Sequence, residues 1–217
     1  MTMNSTENLP ARPEILNILN ETRDNASFEK MLKFDRGKYL CDGQEIPVGS
    51  KFIAHCIGWA KEWVKFQDGQ FIERKIYRIS KGERPPERDQ MDAKDQSLWS
   101  RDTKYNNGQP KDPWLFRYLL PMQNAETDEP VLFVTPSVGG RRSIDDLCSA
   151  YAHRAVRDPD CGQPIVRLQV AIMNTPKFGK VQKPRFEIIG WDDGVQPVRE
   201  ISDAVMKAKD FEDEIPF

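Results

Sequence analysis

Residues 51–66 read KFIAHCIGWAKEWVKF, and this stretch is the first long one with the pattern of a strand. Read as an extended strand, it alternates between two kinds of face, because successive side chains of a strand point to opposite sides. One face is small and apolar apart from Glu62, and consists of Phe52, Ala54, Cys56, Gly58, Ala60, Val64 and Phe66. The opposite face consists of Lys51, Ile53, His55, Ile57, Trp59, Lys61, Trp63 and Lys65. We therefore predict a long strand with the first face in the core and the second exposed.

The end of this stretch has a second interpretation. Trp59, Trp63 and Phe66 also repeat at i, i+4 and i+7, which is helical spacing. In that case the two tryptophans are core residues. Gly58 weakens a helix at this point, but the sequence leaves both alternatives open.

Three hairpins are predicted from turn residues and alternating strands. Asp68-Gly69 is a hairpin turn between strands near 51–66 and 70–79. The other two pair the strands near 114–120 and 130–135, and those near 164–174 and 184–191. In the second hairpin Trp114, Phe116 and Tyr118 share one strand face, which we interpret as core.

One helix is predicted between the second and third hairpins. Ser143 is placed as its N-cap, and acidic residues follow in the first turn. Helical spacing continues through Ile144, Leu147, Cys148 and Tyr151. We expect the helix to end near Asp158-Pro159. A short helix is also predicted over Pro13–Asn20.

The predicted fold class is mainly β. Three hairpins with one helix inserted late fit an antiparallel, partly closed barrel of the oligonucleotide/oligosaccharide-binding type, in which the helix lies between strands three and four of five. Extra hairpin or loop elements are needed, because about six strands are counted. Residues 80–113 are a polar segment too long for an ordinary turn, so we expect a functional or mobile loop.

Charge divides the chain into three parts. Residues 30–191 hold 27 basic and 21 acidic residues, whereas 1–29 and 192–217 are acidic. We expect a flexible N-terminal segment over 1–29, one β-barrel domain over 30–191, and an acidic flexible tail over 192–217. A basic body with an acidic tail is typical of a body that binds a polyanion.

The alternation of tryptophan and lysine at 59–65 is the pattern that single-stranded nucleic acid requires. Every base has a face that can stack on an indole ring, and every nucleotide has a phosphate that a lysine can neutralise. Further basic and aromatic residues lie on the next strand, in the long loop, before the helix and at the tip of the third hairpin. The candidate nucleic-acid contacts are Trp59, Lys61, Trp63, Lys65, Arg74, Lys75, Tyr77, Arg78, Trp99, Lys104, Tyr105, Arg142, Lys177, Phe178 and Lys180.

The last residues of the chain form an acidic run followed by Ile215-Pro216-Phe217. This end resembles the C-terminal tip of bacterial single-stranded DNA-binding proteins, which genome-maintenance enzymes bind. The run here is Glu212-Asp213-Glu214, where that family usually has Asp alone. The resemblance covers about the last eight residues. The candidate partner-binding residues are Glu212, Asp213, Glu214, Ile215, Pro216 and Phe217.

The resemblance implies sequence-independent binding and protection of single-stranded DNA during replication, recombination or repair. It also implies recruitment of replication, recombination or repair enzymes through the tip. The body of the chain has no motif that aligns with the standard bacterial domain, which suggests a bacteriophage or prophage version. Self-association into a homo-oligomer is left open.

Signs of catalysis are few, so we expect no enzymatic activity, cofactor or metal ion. Two alternatives remain: a metal-dependent nuclease or recombination enzyme carrying a similar tail, and a protein-binding adaptor. The four cysteines have no C-x-x-C pair, which suits a reducing compartment. The sequence has no apolar run of bilayer length and no secretory start, so we expect a cytoplasmic protein with no membrane contact.

Overall fold

The computed structural model of the chain describes residues 30–67, 70–102, 108–176 and 178–192. The short helix expected over Pro13–Asn20, the segment 1–29 and nearly all of the acidic tail therefore lie outside the described residues. About 52% of the described residues are in strands, so this part of the chain is mainly β as predicted. The strands form a strongly curled mixed sheet, which makes a half-barrel.

Twelve strands and one α-helix make up the described part of the chain. The strands before the long loop are β1 Met31–Asp35, β2 Lys38–Cys41, β3 Gln44–Ile46, β4 Lys51–Ala54, β5 Ala60–Gln67 and β6 Gln70–Arg78. The strands after them are β7 Arg101–Asp102, β8 Gln109–Pro110, β9 Trp114–Asn124, β10 Pro130–Thr135, β11 Gln163–Thr175 and β12 Gly179–Asp192. Helix α1 spans Val138–Arg157, between β10 and β11.

The main sheet runs in the order β12-β11-β4-β9-β10-β1-β2-β3, and β5 pairs with both β6 and β9. The three predicted hairpins are confirmed as the antiparallel pairs β5–β6, β9–β10 and β11–β12. The pairing of β1 with β10 is parallel. This pair makes the sheet mixed, whereas the sequence indicated antiparallel pairing throughout.

The strand predicted over 51–66 is interrupted in its middle. Cys56–Gly58 forms a 3-10 turn between β4 and β5. Both pieces pair with β9 in one continuous direction, since Phe52 is opposite Asn124 and Ala60 is opposite Leu119. On the side away from β9 the two pieces have different partners. Strand β4 pairs with β11, and β5 pairs with β6. Residues after Ala60 are extended, so the helical alternative is wrong.

Strands β1 to β3 precede the first predicted strand, which begins near residue 51. Two-residue turns connect them, with φ values of 46° and 86° at Arg36 and Gly37, and 49° and 79° at Asp42 and Gly43. Positive φ at both central positions is typical of the turn that joins twisted antiparallel strands. Asp42-Gly43 is therefore a hairpin motif in the sequence, although no hairpin is predicted there.

The core lies on the inner face of the curled sheet, where α1 packs. Ile144 and Leu147 of the helix are buried in one apolar cluster with Leu120, Phe133 and Leu168 from three strands.

Within the described ranges, no helix combines the length and apolar character needed to span a bilayer.

The helix begins six residues earlier than predicted. Ser137 is the N-cap, because its Oγ accepts a hydrogen bond from the backbone N–H of Gly140 at 3.0 Å. The prediction of Ser143 as N-cap is wrong. Ser143 is buried within the helix, with its Oγ 2.9 Å from the carbonyl oxygen of Gly139 and 2.5 Å from that of Pro184. The predicted end is confirmed, since Asp158 is the C-cap.

Tyr39 joins the two ends of the half-barrel. This residue of β2 is fully buried, and its hydroxyl donates to the carbonyl oxygen of Gln169 at 2.8 Å. The same oxygen accepts from the backbone N–H of Arg185 at 3.2 Å. Burial raises the pKa of Tyr39, so the phenol stays protonated and able to donate. One side chain therefore links β2 to both β11 and β12.

Candidate functional site

Five aromatic rings lie in a row on β9 and on β5 with the turn before it. From one end they are Trp59, Tyr118, Phe116, Trp63 and Trp114. Their successive ring centres are 5.5, 5.7, 4.7 and 6.4 Å apart, which is the contact range of aromatic pairs. We call this row, with the lysines that contact it, the ring face.

Lysines from β5 and β6 lie over these rings. The Nζ of Lys61 is 4.8 Å from the ring centre of Tyr118. The Nζ atoms of Lys65 and Lys75 are 5.4 and 5.0 Å from the ring centre of Trp114. Strand register explains the contacts, because Lys61 is opposite Tyr118 and Lys65 is opposite Trp114. Lysines therefore contact both ends of the row of rings, on one side of the sheet.

The ring face continues the inner face of the sheet beyond the part that α1 covers. Along β9, Trp114, Phe116 and Tyr118 precede Leu120 and Met122 on the same side of the strand. Leu120 and Met122 are core residues, and Trp114 and Tyr118 are buried as predicted, while Phe116 is half-buried. The sequence could not show that these rings share a face with Lys61 and Lys65, since strand pairing decides it.

A segment of the long loop covers one end of the ring face. We call residues 86–93 the strap. Its Met91 is buried against Trp63 and Trp114, and the carbonyl oxygen of Pro86 accepts a hydrogen bond from Trp63 Nε1 at 3.0 Å. Trp63 is only 7% exposed as a result. The prediction that its indole ring is exposed is therefore wrong.

Arg88 holds the strap in place. Its guanidinium forms two hydrogen bonds to the carboxylate of Asp112, at 2.7 and 2.8 Å, and donates to the carbonyl oxygens of Asp92 and Ala93 at 3.0 Å. It also lies over the ring of Trp99, 5.6 Å from the centre. Hydrogen bonds therefore fix the first part of the predicted loop beside the rings.

A groove of about 550 Å³ opens beside the ring face. The β1–β2 turn, the end of β10, the first turn of α1, the start of β9 and the strap enclose it. Four cations and four rings line it: Lys33, Arg36, Arg88, Arg141, Phe34, Trp63, Trp114 and Phe116. The two acids that line it are Asp35 and Asp112, and Asp112 is bonded to Arg88.

Arg141 joins the groove to the ring face. Its guanidinium is 5.5 Å from the ring centre of Phe116 and 5.9 Å from that of Tyr118. Lys33, Arg36 and Arg88 are not among the candidates predicted from the sequence. These residues reach the groove only because β1 pairs with β10 and the loop folds back, and neither pattern is visible in their local sequence.

The predicted candidates on β5 and β6 divide between the two faces of the sheet. Lys75 and Tyr77 lie on the side of the ring face, whereas Arg74 and Arg78 alternate onto the outer side. Arg74 donates from Nε to the buried carboxylate of Glu62 at 2.5 Å, and its side chain is only 7% exposed. Its predicted contact with nucleic acid is therefore wrong.

The remaining candidates lie elsewhere. Trp99 is half-buried in the loop, where its Nε1 donates to the carbonyl oxygen of Ala93 at 2.7 Å. Phe178 and Lys180 are exposed near the tip of the β11–β12 hairpin, and Arg142 contacts Met173 of the same hairpin. Lys104, Tyr105, Lys177 and the tip residues 212–217 lie outside the described residues.

Electrostatically, the site favours an anion. Asp92 is the acid closest to the lysines: hydrogen bonds from Lys65 and then from Trp114 hold the pKa of its carboxyl below the usual range. In the residues that the structure describes, no three His, Cys, Asp or Glu side chains are grouped so as to hold a metal ion. The arrangement can bind a ligand that carries both planar groups and negative charge.

Comparisons of the chain with protein-family models, with curated proteins and with solved structures give no match.

Proposed function

We propose that the chain binds single-stranded DNA along the ring face and the adjoining groove, without sequence preference. The observation that carries this proposal is the contiguity of cations and rings around an open groove of about 550 Å³. Single strands offer bases for stacking, at about 1–3 kcal/mol each, and phosphates for the lysines and arginines. Duplex DNA hides its base faces, so it has less to gain from this surface.

Strand order supports an oligonucleotide-binding barrel as the fold. Taking β4 with β5 as the first strand, β9, β10, β11 and β12 follow as the second to fifth. The first strand then lies between the second and the fourth, and α1 lies between the third and the fourth, as expected for that fold. Strand β6 is the extra element that the predicted strand count required, and β1 to β3 are additions that the sequence did not predict.

The function we propose includes recruitment of replication, recombination or repair enzymes through Glu212–Phe217, in the cytoplasm of a bacterial cell. The support for this part is the sequence of the tip alone. A pocket with a basic rim and an apolar hole could bind the Phe217 ring and a terminal carboxylate together.

Two arginines of α1 provide a matched test. Arg141 lies in the groove, whereas Arg157 lies in the last turn, sixteen residues or about 24 Å along the helix axis. Arg141→Ala should weaken oligo-dT binding several-fold and lower the slope of log affinity against log salt by about 0.7, the value for one phosphate contact on a single strand. Arg157→Ala should change neither quantity. The measurement is quenching of tryptophan fluorescence across a salt series.

Two other results would contradict the proposal. Equal weakening by Arg141→Ala and Arg157→Ala would show that only overall charge matters. Equally effective competition by duplex DNA would remove the preference for single strands. Cleavage of the oligonucleotide that requires Mg²⁺ would favour the nuclease alternative instead.

A further inference from the structure

The Asp92 carboxylate is bound by donors of the ring face. Its Oδ2 is 2.7 Å from Lys65 Nζ, and its Oδ1 accepts from Trp114 Nε1 at 2.7 Å. The charge of Lys75, which lies over the same indole ring, adds to the attraction. Lys65 and the indole N–H therefore bind one small anion directly, and Lys75 adds a positive charge nearby.

The donors are part of the sheet, and the anion is the outer partner. Trp114 is 4% exposed and the side chain of Lys65 is 19% exposed, whereas the side chain of Asp92 is 62% exposed. Strand pairing keeps the backbone of Lys65 opposite that of Trp114, so the two donors start from neighbouring positions whatever they bind. A ligand from solvent can reach Lys65 and Trp114 Nε1 by replacing the Asp92 side chain, while Lys75 keeps its exposed pair with Glu73, whose Oε1 is 3.4 Å from Lys75 Nζ.

A carboxylate and a phosphodiester have the relevant feature in common. Each presents two acceptor oxygens on one central atom, at a separation that ammonium and N–H donors can bind together. Each nucleotide that stacks on a ring brings one phosphate with it. If bases stack on the ring face, that face therefore needs a phosphate-binding donor for each of them.

We propose that Lys65, Lys75 and Trp114 Nε1 form a phosphate subsite, and that Asp92 occupies it until a phosphodiester of single-stranded DNA displaces it. The inference rests on the proposed function, and it adds an intramolecular competitor to the same site. Asp92 then sets the affinity of the chain without contacting the DNA itself.

Displacement needs only the side chain to move. The Asp92 end of this ion pair is exposed to solvent, where such pairs contribute little to stability, so an incoming phosphate can replace the carboxylate. The rest of the strap is held independently, by Met91 packed on the indoles and by the paired hydrogen bonds between Arg88 and Asp112. The strap therefore keeps its place while Asp92 turns to solvent.

Asp92→Asn tests the subsite, and Asp89→Asn is its control. Asp89 is an exposed acid three residues earlier in the strap, so both variants remove one negative charge from the same segment. Asp92→Asn should bind oligo-dT about three- to tenfold more tightly at low salt, since the competing charge is gone, and the gain should shrink as salt screens it. Asp89→Asn should bind like the unmodified chain. Equal gains in the two variants would overturn the subsite, and so would weaker binding by Asp92→Asn.

A second measurement separates this inference from the proposed function. If the unmodified chain binds no oligo-dT, the proposed function fails, and titration with inorganic phosphate still decides the subsite. The nuclear magnetic resonance of the Trp114 indole N–H should shift with phosphate in Asp92→Asn, and much less in Asp89→Asn, where the Asp92 carboxylate still competes. Absence of a shift in Asp92→Asn would overturn the subsite.

Discussion

Glu62 is a single carboxylate held between two buried guanidinium groups on the outer side of the sheet. Its Oε1 is 2.6 Å from Arg117 Nη2 and its Oε2 is 2.5 Å from Arg74 Nε, and Glu62 and Arg117 are fully buried. Glu62→Gln should lower the free energy of unfolding by about 3–5 kcal/mol, because two buried positive charges lose their partner. Urea unfolding measures this loss.

Glu73→Gln is the control for that substitution. Glu73 lies on β6 of the same sheet, with its side chain 41% exposed and 3.4 Å from Lys75. Its replacement should change the unfolding free energy by no more than about 0.5 kcal/mol. Similar small losses at both positions would mean that the buried charges find other compensation.

Single residues show what a strand pattern can and cannot predict. Alternation placed Lys61, Trp63 and Lys65 on one face, and they do share it. It could not show that the strap covers Trp63, since the cover comes from residues more than twenty positions later. Glu62 stood out as the one polar residue on an apolar face, but its partner Arg117 is 55 residues away in the sequence.

Among the elements, helix α1 depends on two glycines for its close approach to the sheet. A Cβ at Gly140 would lie 2.1 Å from Thr135 Oγ1, and one at Gly139 would lie 2.8 Å from Lys183 Cβ. Alanine at a helical glycine normally gains about 1 kcal/mol. Here overpacking costs about 1–3 kcal/mol or more, so Gly140→Ala should lower the thermal unfolding midpoint.

Ser149→Ala is the control on the same helix. Ser149 is exposed, so alanine there meets no neighbouring element and should leave the midpoint unchanged or slightly higher. Calorimetry on the two variants separates packing from helix propensity. An unfolding midpoint for Gly140→Ala as high as that of Ser149→Ala would show that the helix can move away from β10 at no cost.

The same glycines explain why the helix start was mispredicted. Gly139-Gly140 has the composition of a loop, and Ser143 with its following acids has the composition of an N-cap. Glycine is needed inside the helix because Thr135 leaves no room for a Cβ at Gly140. That contact forms only when the chain folds, so the local sequence does not show it. Hairpins were predicted better, because Asp68-Gly69 and the alternation in β11 and β12 are local patterns.

At the scale of the whole molecule, charge separates a basic body from an acidic tail. Removing residues 212–217 should leave the affinity for oligo-dT equal or higher, with any gain lost at high salt, because the tethered acids compete with phosphates. The same deletion should abolish capture of a replication or repair enzyme. Fluorescence titration and pull-down measure the two effects.

Phe217→Ala separates the two roles of the tail. It keeps every acidic side chain, so the DNA affinity should be that of the unmodified chain, while capture of the enzyme should be lost with the ring. Recovery of the same enzyme by the unmodified chain, the deletion and Phe217→Ala would contradict the role of the tip.

The link made by Tyr39 has a consequence for how the chain assembles as it is synthesised. Its hydroxyl binds backbone atoms 130 and 146 residues further along the sequence, and β1 has its parallel partner in β10. The β1–β2 hairpin therefore leaves the ribosome long before the strands that hold it have been translated. Contacts between residues so far apart in the sequence make folding slow, because long loops must be closed to form them. The first strands to be translated thus gain their final hydrogen-bond partners from the last ones.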